Sequence, residues 1–213
     1  MALTQGHSIY AGLSDTGMQK FLHSLFVARP HYFNFATPAM GGGGPDIGPL
    51  QPIAVPGSNA GIEYSLSFTE PRIRFFPSAF NPAPPAPLPI AANHFGISTD
   101  VKMCILADTG GVPTKFCGTI SFWAVGRPVQ IGAGTSAVVS LSAQQALVSG
   151  TGNLDRLCEQ IVTKILNALL RQLQIPVKLL PQGAFQITLE RGPEINSPSG
   201  NPPGQMQIWG GLS

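Results

Sequence analysis

A chain of 213 residues, 43% of them hydrophobic and only 10% charged, is long enough to build a full core as one domain over 1–213 and too apolar for charge-driven disorder. Its formal net charge of +2 comes from twelve basic residues that lie scattered, with only Arg72 and Arg74 close together, so no basic stripe exists to follow a phosphate backbone and nucleic acid is excluded as a partner. Charged residues run at less than half of the roughly 25% usual in globular chains, which leaves a neutral surface of the kind that proteins bury against an oligomer mate, another protein or an apolar ligand.

The opening segment, Met1 to His7, lacks the basic start and apolar run of a secretory signal, and a cytoplasmic location is expected. Ser14 is placed to cap a first helix over Asp15 to Ala28, which Arg29 and Pro30 end. Met18, Phe21, Leu22, Leu25 and Phe26 form its apolar stripe, while Gln19, Lys20, His23 and Ser24 face away. A short strand over His31 to Ala36 leads into the Gly41 to Gly44 run and a Pro-rich loop ending near Gly57. From Gly61 to Phe76 the residues alternate, with Ile62, Tyr64, Leu66 and Phe68 on one face and Glu63, Ser65, Ser67 and Thr69 on the other. Pro71 interrupts this run and predicts a bulge or an edge position. Five prolines between Pro82 and Pro89 make a stiff, extended connector.

The clearest hairpin runs from Phe95 to Ala107 and returns through Asp108 and the following Thr-Gly-Gly to Phe116, Ile120 and Phe122. Cys104 and Cys117 sit symmetrically about that turn, either bonded across the strands or simply two small buried residues. Further strands are expected at Pro128 to Ile131 and Ser136 to Leu141. A long amphipathic helix follows over Asn153 to Gln174, about 32 Å at ~1.5 Å per residue. Its stripe includes Leu154, Leu157, Cys158, Ile161, Val162, Ile165, Leu166, Leu169, Leu170 and Leu173; Asn153 is its expected cap and Pro176 forbids its continuation. Strands at Ala184 to Arg191 and Gln205 to Trp209 close the chain. The expected class is therefore α+β: a curved antiparallel sheet wrapped around the long C-terminal helix, with a second helix at the N-terminus. The longest uncharged runs, Phe75 to Thr99 and Pro128 to Leu154, are broken by Pro or by Gly, Ser and Gln, so no membrane span is expected.

Catalytic patterns are absent. The Gly41 to Gly44 run is followed by Pro45-Asp46 and not by Lys-Ser or Lys-Thr, so it is no phosphate loop. There is no Gly-x-Ser-x-Gly elbow, and the histidines at 7, 23, 31 and 94 stand apart. Three cysteines without a C-x-x-C and a thin set of ten carboxylates show no metal-ligand spacing. No enzyme activity, metal or cofactor is expected.

The stretch from Asn153 to Gly210 combines the long helix, Leu173-Gln174-Ile175-Pro176-Val177, the strand Phe185-Gln186-Ile187-Thr188-Leu189 and the closing Gln205-Met206-Gln207-Ile208-Trp209-Gly210. It resembles the end of a module of the tubular lipid-binding superfamily, the group of bactericidal permeability-increasing protein, takeout proteins and bacterial toxin-cluster accessory proteins; bacterial cytoplasmic members are the nearer analogy. The resemblance implies a curved antiparallel sheet around a long helix and an apolar cavity for a lipid, a fatty-acid-like chain or another elongated hydrophobic ligand. The candidate lining is Phe21, Leu25 and Phe26 on the first helix, Ile62, Tyr64, Leu66 and Phe68 on the sheet, and Leu157, Ile161, Ile165 and Leu169 on the long helix. The same residues would equally make a solid core. The alternative is a structural or assembly subunit of a phage, viral or toxin complex, without ligand, that buries its neutral surface in a homo-oligomer or against a protein partner.

Overall fold

The structure, a computed structural model, describes residues 9–54, 61–108, 112–133, 136–149, 155–172, 174–176, 187–195 and 204–212. In chain order the elements are β1 (Ile9–Ser14), α1 (Asp15–Ala28), β2 (Asn34–Ala36), β3 (Gly48–Pro49), β4 (Ile53–Ala54), β5 (Gly61–Phe68), β6 (Arg72–Phe75), β7 (Phe95–Asp108), β8 (Pro113–Ile131), β9 (Val138–Ser149), α2 (Asp155–Gln172), β10 (Ile175–Pro176), β11 (Ile187–Ile195) and β12 (Gln205–Leu212). Single 3-10 turns at Pro30–Tyr32 and Pro38–Met40 flank β2. The large sheet has the order β10-β9-β8-β7-β5-β2-β3, and β1-β12-β11 form a second, three-stranded sheet.

The helix-centred α+β expectation is corrected. The chain is mainly β, with 51% of it in strands; among the described residues there are a strongly curled sheet and two short helices, and no long C-terminal helix is wrapped by the sheet. The first reason lies in β8 and β9. Gly126, Pro128 and the polar residues after Leu141 read as strand breaks, yet β8 runs on for 19 residues and β9 for 12, because Ser142 and its polar neighbours alternate with buried Leu141 and Ala143 along one ladder. Between Val125 and Gly126 the register shifts by one residue, leaving Gln144 of β9 as the extra residue of a bulge that bends the pair there without ending either strand. Gly126 is required at that bend, since a Cβ would run into the Ser142 carbonyl and the Phe95 ring.

The second reason lies in how the helices attach. α2 has 18 residues, about 27 Å, and sits beside the outer edge of β9. β10 pairs with Val138 and Val139 on that edge, and next along it Asn167 acts as a substitute strand: Ala143 N–H donates to its Oδ1 (2.9 Å) and its Nδ2 donates to the Ala143 carbonyl (3.3 Å). Ser140 Oγ adds a bond to the Leu170 carbonyl (3.2 Å). α1 does the same for β6, whose only strand partner among the described residues is β7. Ile73 N–H donates to Gln19 Oε1 (2.9 Å), and Gln19 Nε2 donates to the Pro71 carbonyl (3.0 Å). Each helix thus satisfies an exposed strand edge through a carboxamide, which is one way a sheet protects its edges.

α1 has the expected bounds, with Ser14 Oγ accepting from Gly17 N–H at 3.1 Å. Around Pro71, β5 and β6 follow each other along the same side of β7, opposite Leu106–Val101 and Ser98–Phe95. The expected cap Asn153 and the ends of the helical stripe, Leu154 and Leu173, lie outside the described residues. The core gathers Phe95, Ile97, Val101, Ile120 and Phe122 from the central hairpin, Met18 and Leu22 from α1, Val162, Leu166 and Leu170 from α2, and Ile195 and Met206 from the second sheet.

Candidate ligand-binding face

The alternation that buries β5 also aligns its core-facing residues with the hairpin. Tyr64, Leu66 and Phe68 stand opposite Ile105, Met103 and Val101, which stand opposite Phe116, Gly118 and Ile120. Opposed residues of an antiparallel ladder share a face, so these rows form one apolar strip. α2 meets it where the Cys158 thiol reaches Met103 Sδ at 3.5 Å. On α1, Leu25 and Phe26 are half-buried against the same core cluster, with the Phe26 ring edge-on to Phe33 at 5.0 Å.

Of the eleven candidate residues, Tyr64, Leu66, Phe68, Ile165 and Leu169 are buried in one cluster, and Leu25, Phe26 and Ile161 pack partly buried against it. Ile62 is half-buried, opposite Ile53 of β4. Phe21 does not join them, being 48% exposed. The side chain of Leu157 lies outside the described residues. Met18 and Leu22 are the α1 side chains that reach deepest; they were already in the stripe, and only the angle at which α1 lies on β6 separates them from Phe21. Burial raises the Tyr64 phenol above its ordinary pKa, so it faces the core neutral.

The strip changes along its length. Val101 and Ile120 are closed off, Met103 is 7% exposed, Ile105 is half-buried, and Phe116 is 55% exposed. The core face therefore opens to solvent toward the tip of the β7–β8 hairpin. On the opposite face of the same hairpin, Cys104 and Cys117 are in register and form a disulfide, with Cα atoms 4.1 Å apart. The symmetric spacing about the turn was the available signal for that bond.

Two cavities lie elsewhere. One of about 660 Å³ runs between α1 and the outer face of β6, β7 and β8, and one of about 610 Å³ lies between α2, β9 and Pro87–Leu88. Neither is lined by any of the eleven candidates. In the first, Glu70 accepts from Gln19 Nε2 and pairs with His23 Nδ1, both at 3.0 Å. The His23 hydrogen bond is the main reason its carboxyl titrates below the ordinary range; desolvation, the next largest effect, opposes it, and Gln19, the His23 charge and Arg72 add to the lowering. Among the described residues no group of three or more His, Cys, Asp or Glu could hold a metal ion, and no helix is long and apolar enough to cross a membrane.

No family model matches the chain, and no curated protein does. Among solved structures it is similar, weakly, to a crystal structure of lipopolysaccharide binding protein. The TM-score is 0.33 at 11% identity, over 72% of this chain and 32% of that one. The chain thus spans about a third of the length of that neighbour.

Proposed function

We propose that this protein is a noncatalytic binder of a lipid or another elongated hydrophobic ligand, taken up along the apolar strip between α1, α2 and the curled sheet. The observation that supports this reading is the gradient from closed core to open face, from Val101 and Ile120 through Ile105 to Phe116. A ligand chain laid on the open end extends the core continuously, and each methylene it buries contributes about 0.8 kcal/mol without any polar recognition. Entry further inward means parting side chains that now touch, and the half-buried Leu25, Phe26 and Ile161 are the ones with least to lose. Organic extraction and native mass spectrometry of the purified protein, followed by titration with a fluorescent fatty acid, test the reading. Co-purifying lipid, and fluorescent binding weakened by Phe116→Ser, are expected; the absence of both lipid and probe binding refutes it.

A second reading, an assembly subunit without ligand, is favoured by a different observation. Phe21 and Val27 on α1, Val112 and Phe116 on the hairpin, and Ile131 at the far end of β8 are all exposed, on a chain with only 10% charged residues. Light scattering over a range of concentrations separates the two, since a large closed assembly supports the subunit and a ligand-bearing monomer or dimer supports the binder.

A further inference from the structure

The roughly 660 Å³ groove on the outer face is chemically unlike the apolar strip and independent of it. Three carboxylates and three cations line it: Asp15, Glu70 and Asp100 with Lys20, Arg72 and Arg74. Their engagement is unequal. Asp15 faces Arg74 at 3.7 Å, Glu70 holds His23 and Gln19, and Asp100 accepts from Ser121 Oγ at 2.7 Å. Each acid therefore has a hydrogen-bond or ion-pair partner, Asp100 a neutral hydroxyl and Asp15 a cation. Arg72 makes a long 3.4 Å contact to the Asn81 carbonyl and acts on Glu70 through its charge alone; among the described residues no ion pair within 4 Å engages it or Lys20. Arg72 and Arg74 alternate with buried Ile73 and Phe75 along β6, so both guanidinium groups project away from the core. Arg72 stands in register with Ser98, another lining residue, which places a hydroxyl beside it.

We propose that this groove is a binding site for a phosphate monoester, with Arg72 and Lys20 contacting the phosphate. Two cations outside any ion pair in a walled groove favour a compact, multiply charged oxyanion, and a guanidinium pairs with two phosphate oxygens at once. The committed carboxylates and the Ser98 and Ser121 hydroxyls suit the hydroxyl groups of the organic part. The phosphate could belong to a soluble ester or to a lipid headgroup, and the groove recognises the same chemistry in either.

Calorimetric titration of the intact protein with glycerol 3-phosphate, and flotation with phosphatidylcholine vesicles with and without phosphatidic acid, test the site and its source. Measurable binding is expected below roughly 10 mM ester. Arg72→Gln and Lys20→Gln should each weaken it about tenfold, and Arg72→Lys less. Lys115→Gln, on the hairpin away from the groove, should leave it unchanged. Vesicle binding that requires phosphatidic acid and is lost in Arg72→Gln also supports the site and assigns the phosphate to a headgroup. No binding in either arm, or binding that Arg72→Gln and Lys20→Gln leave intact, overturns it. Lipid extraction and fatty-acid binding do not depend on these side chains, so failure here is distinguishable from failure of the hydrophobic-ligand reading.

Discussion

Replacing Asn167 by alanine tests how α2 is held to the sheet. Its carboxamide makes two hydrogen bonds to the Ala143 backbone, at 2.9 and 3.3 Å, each contributing about 1 kcal/mol net. Ala143 is only 8% exposed, so water replaces the lost partner poorly and the loss rises to about 2–3 kcal/mol. Alanine returns about 0.5 kcal/mol through its better helix propensity, for a net destabilisation of about 2 kcal/mol. At about 2–4 °C per kcal/mol for a chain of this size, the melting temperature should fall by roughly 4–8 °C. The urea midpoint should fall with an unchanged slope, and hydrogen exchange at the Ala143 amide should accelerate. Asn167→Asp keeps the acceptor for Ala143 N–H but sets a carboxylate against the Ala143 carbonyl. It should cost more than alanine at neutral pH and recover as acid protonates it. A melting temperature within about 1 °C of wild type, together with unchanged Ala143 exchange, would show that α2 is not held at the β9 edge by this side chain.

Leu66 is 1% exposed at the centre of β5, and Leu66→Ala should cost about 2–5 kcal/mol by urea unfolding; a cost under about 1 kcal/mol would mean that the space there is already filled by something removable, as a ligand would be. Non-reducing peptide mapping should recover Cys104 and Cys117 in one linked peptide, and their bond closes a loop with a sequence separation of 13, so reduction should lower stability by about 3 kcal/mol. Unchanged stability on reduction would leave the staple without a role. Glu70 titrates lower in the folded state than in the unfolded chain, so its stabilising effect is present above the ordinary carboxylate range and is lost as pH falls through the folded value. Its side chain is 36% exposed, which keeps the effect small and salt-sensitive. Glu70→Gln should flatten the acid limb of stability against pH, and an identical acid limb in the two proteins would count against the His23–Glu70 pair.

What the chain carries locally was legible in the sequence. Ser14 caps α1 where a side-chain acceptor must meet free amide groups, the Ile62-Tyr64-Leu66-Phe68 alternation marks one face of β5, and the spacing of Cys104 and Cys117 about a turn allows their bond. These depend on neighbours a few residues apart or on one hairpin. The length of β8 and β9 was not legible, because glycine and proline look the same in sequence whether they end a strand or bend it, and only the Ser142 carbonyl and Phe95 ring packed against Gly126 decide which. Gln19 and Asn167 carry no signal for their roles either. A carboxamide on the flank of a helix reads as solvent-facing until a strand edge from elsewhere in the chain arrives beside it. The apolar stripes of α1 and α2 were determined by sequence, since periodicity alone fixes which side chains share a side. Whether the sheet wraps those helices or the helices lie along its edges was decided by tertiary structure, because it depends on which backbone groups the long strands leave without a partner.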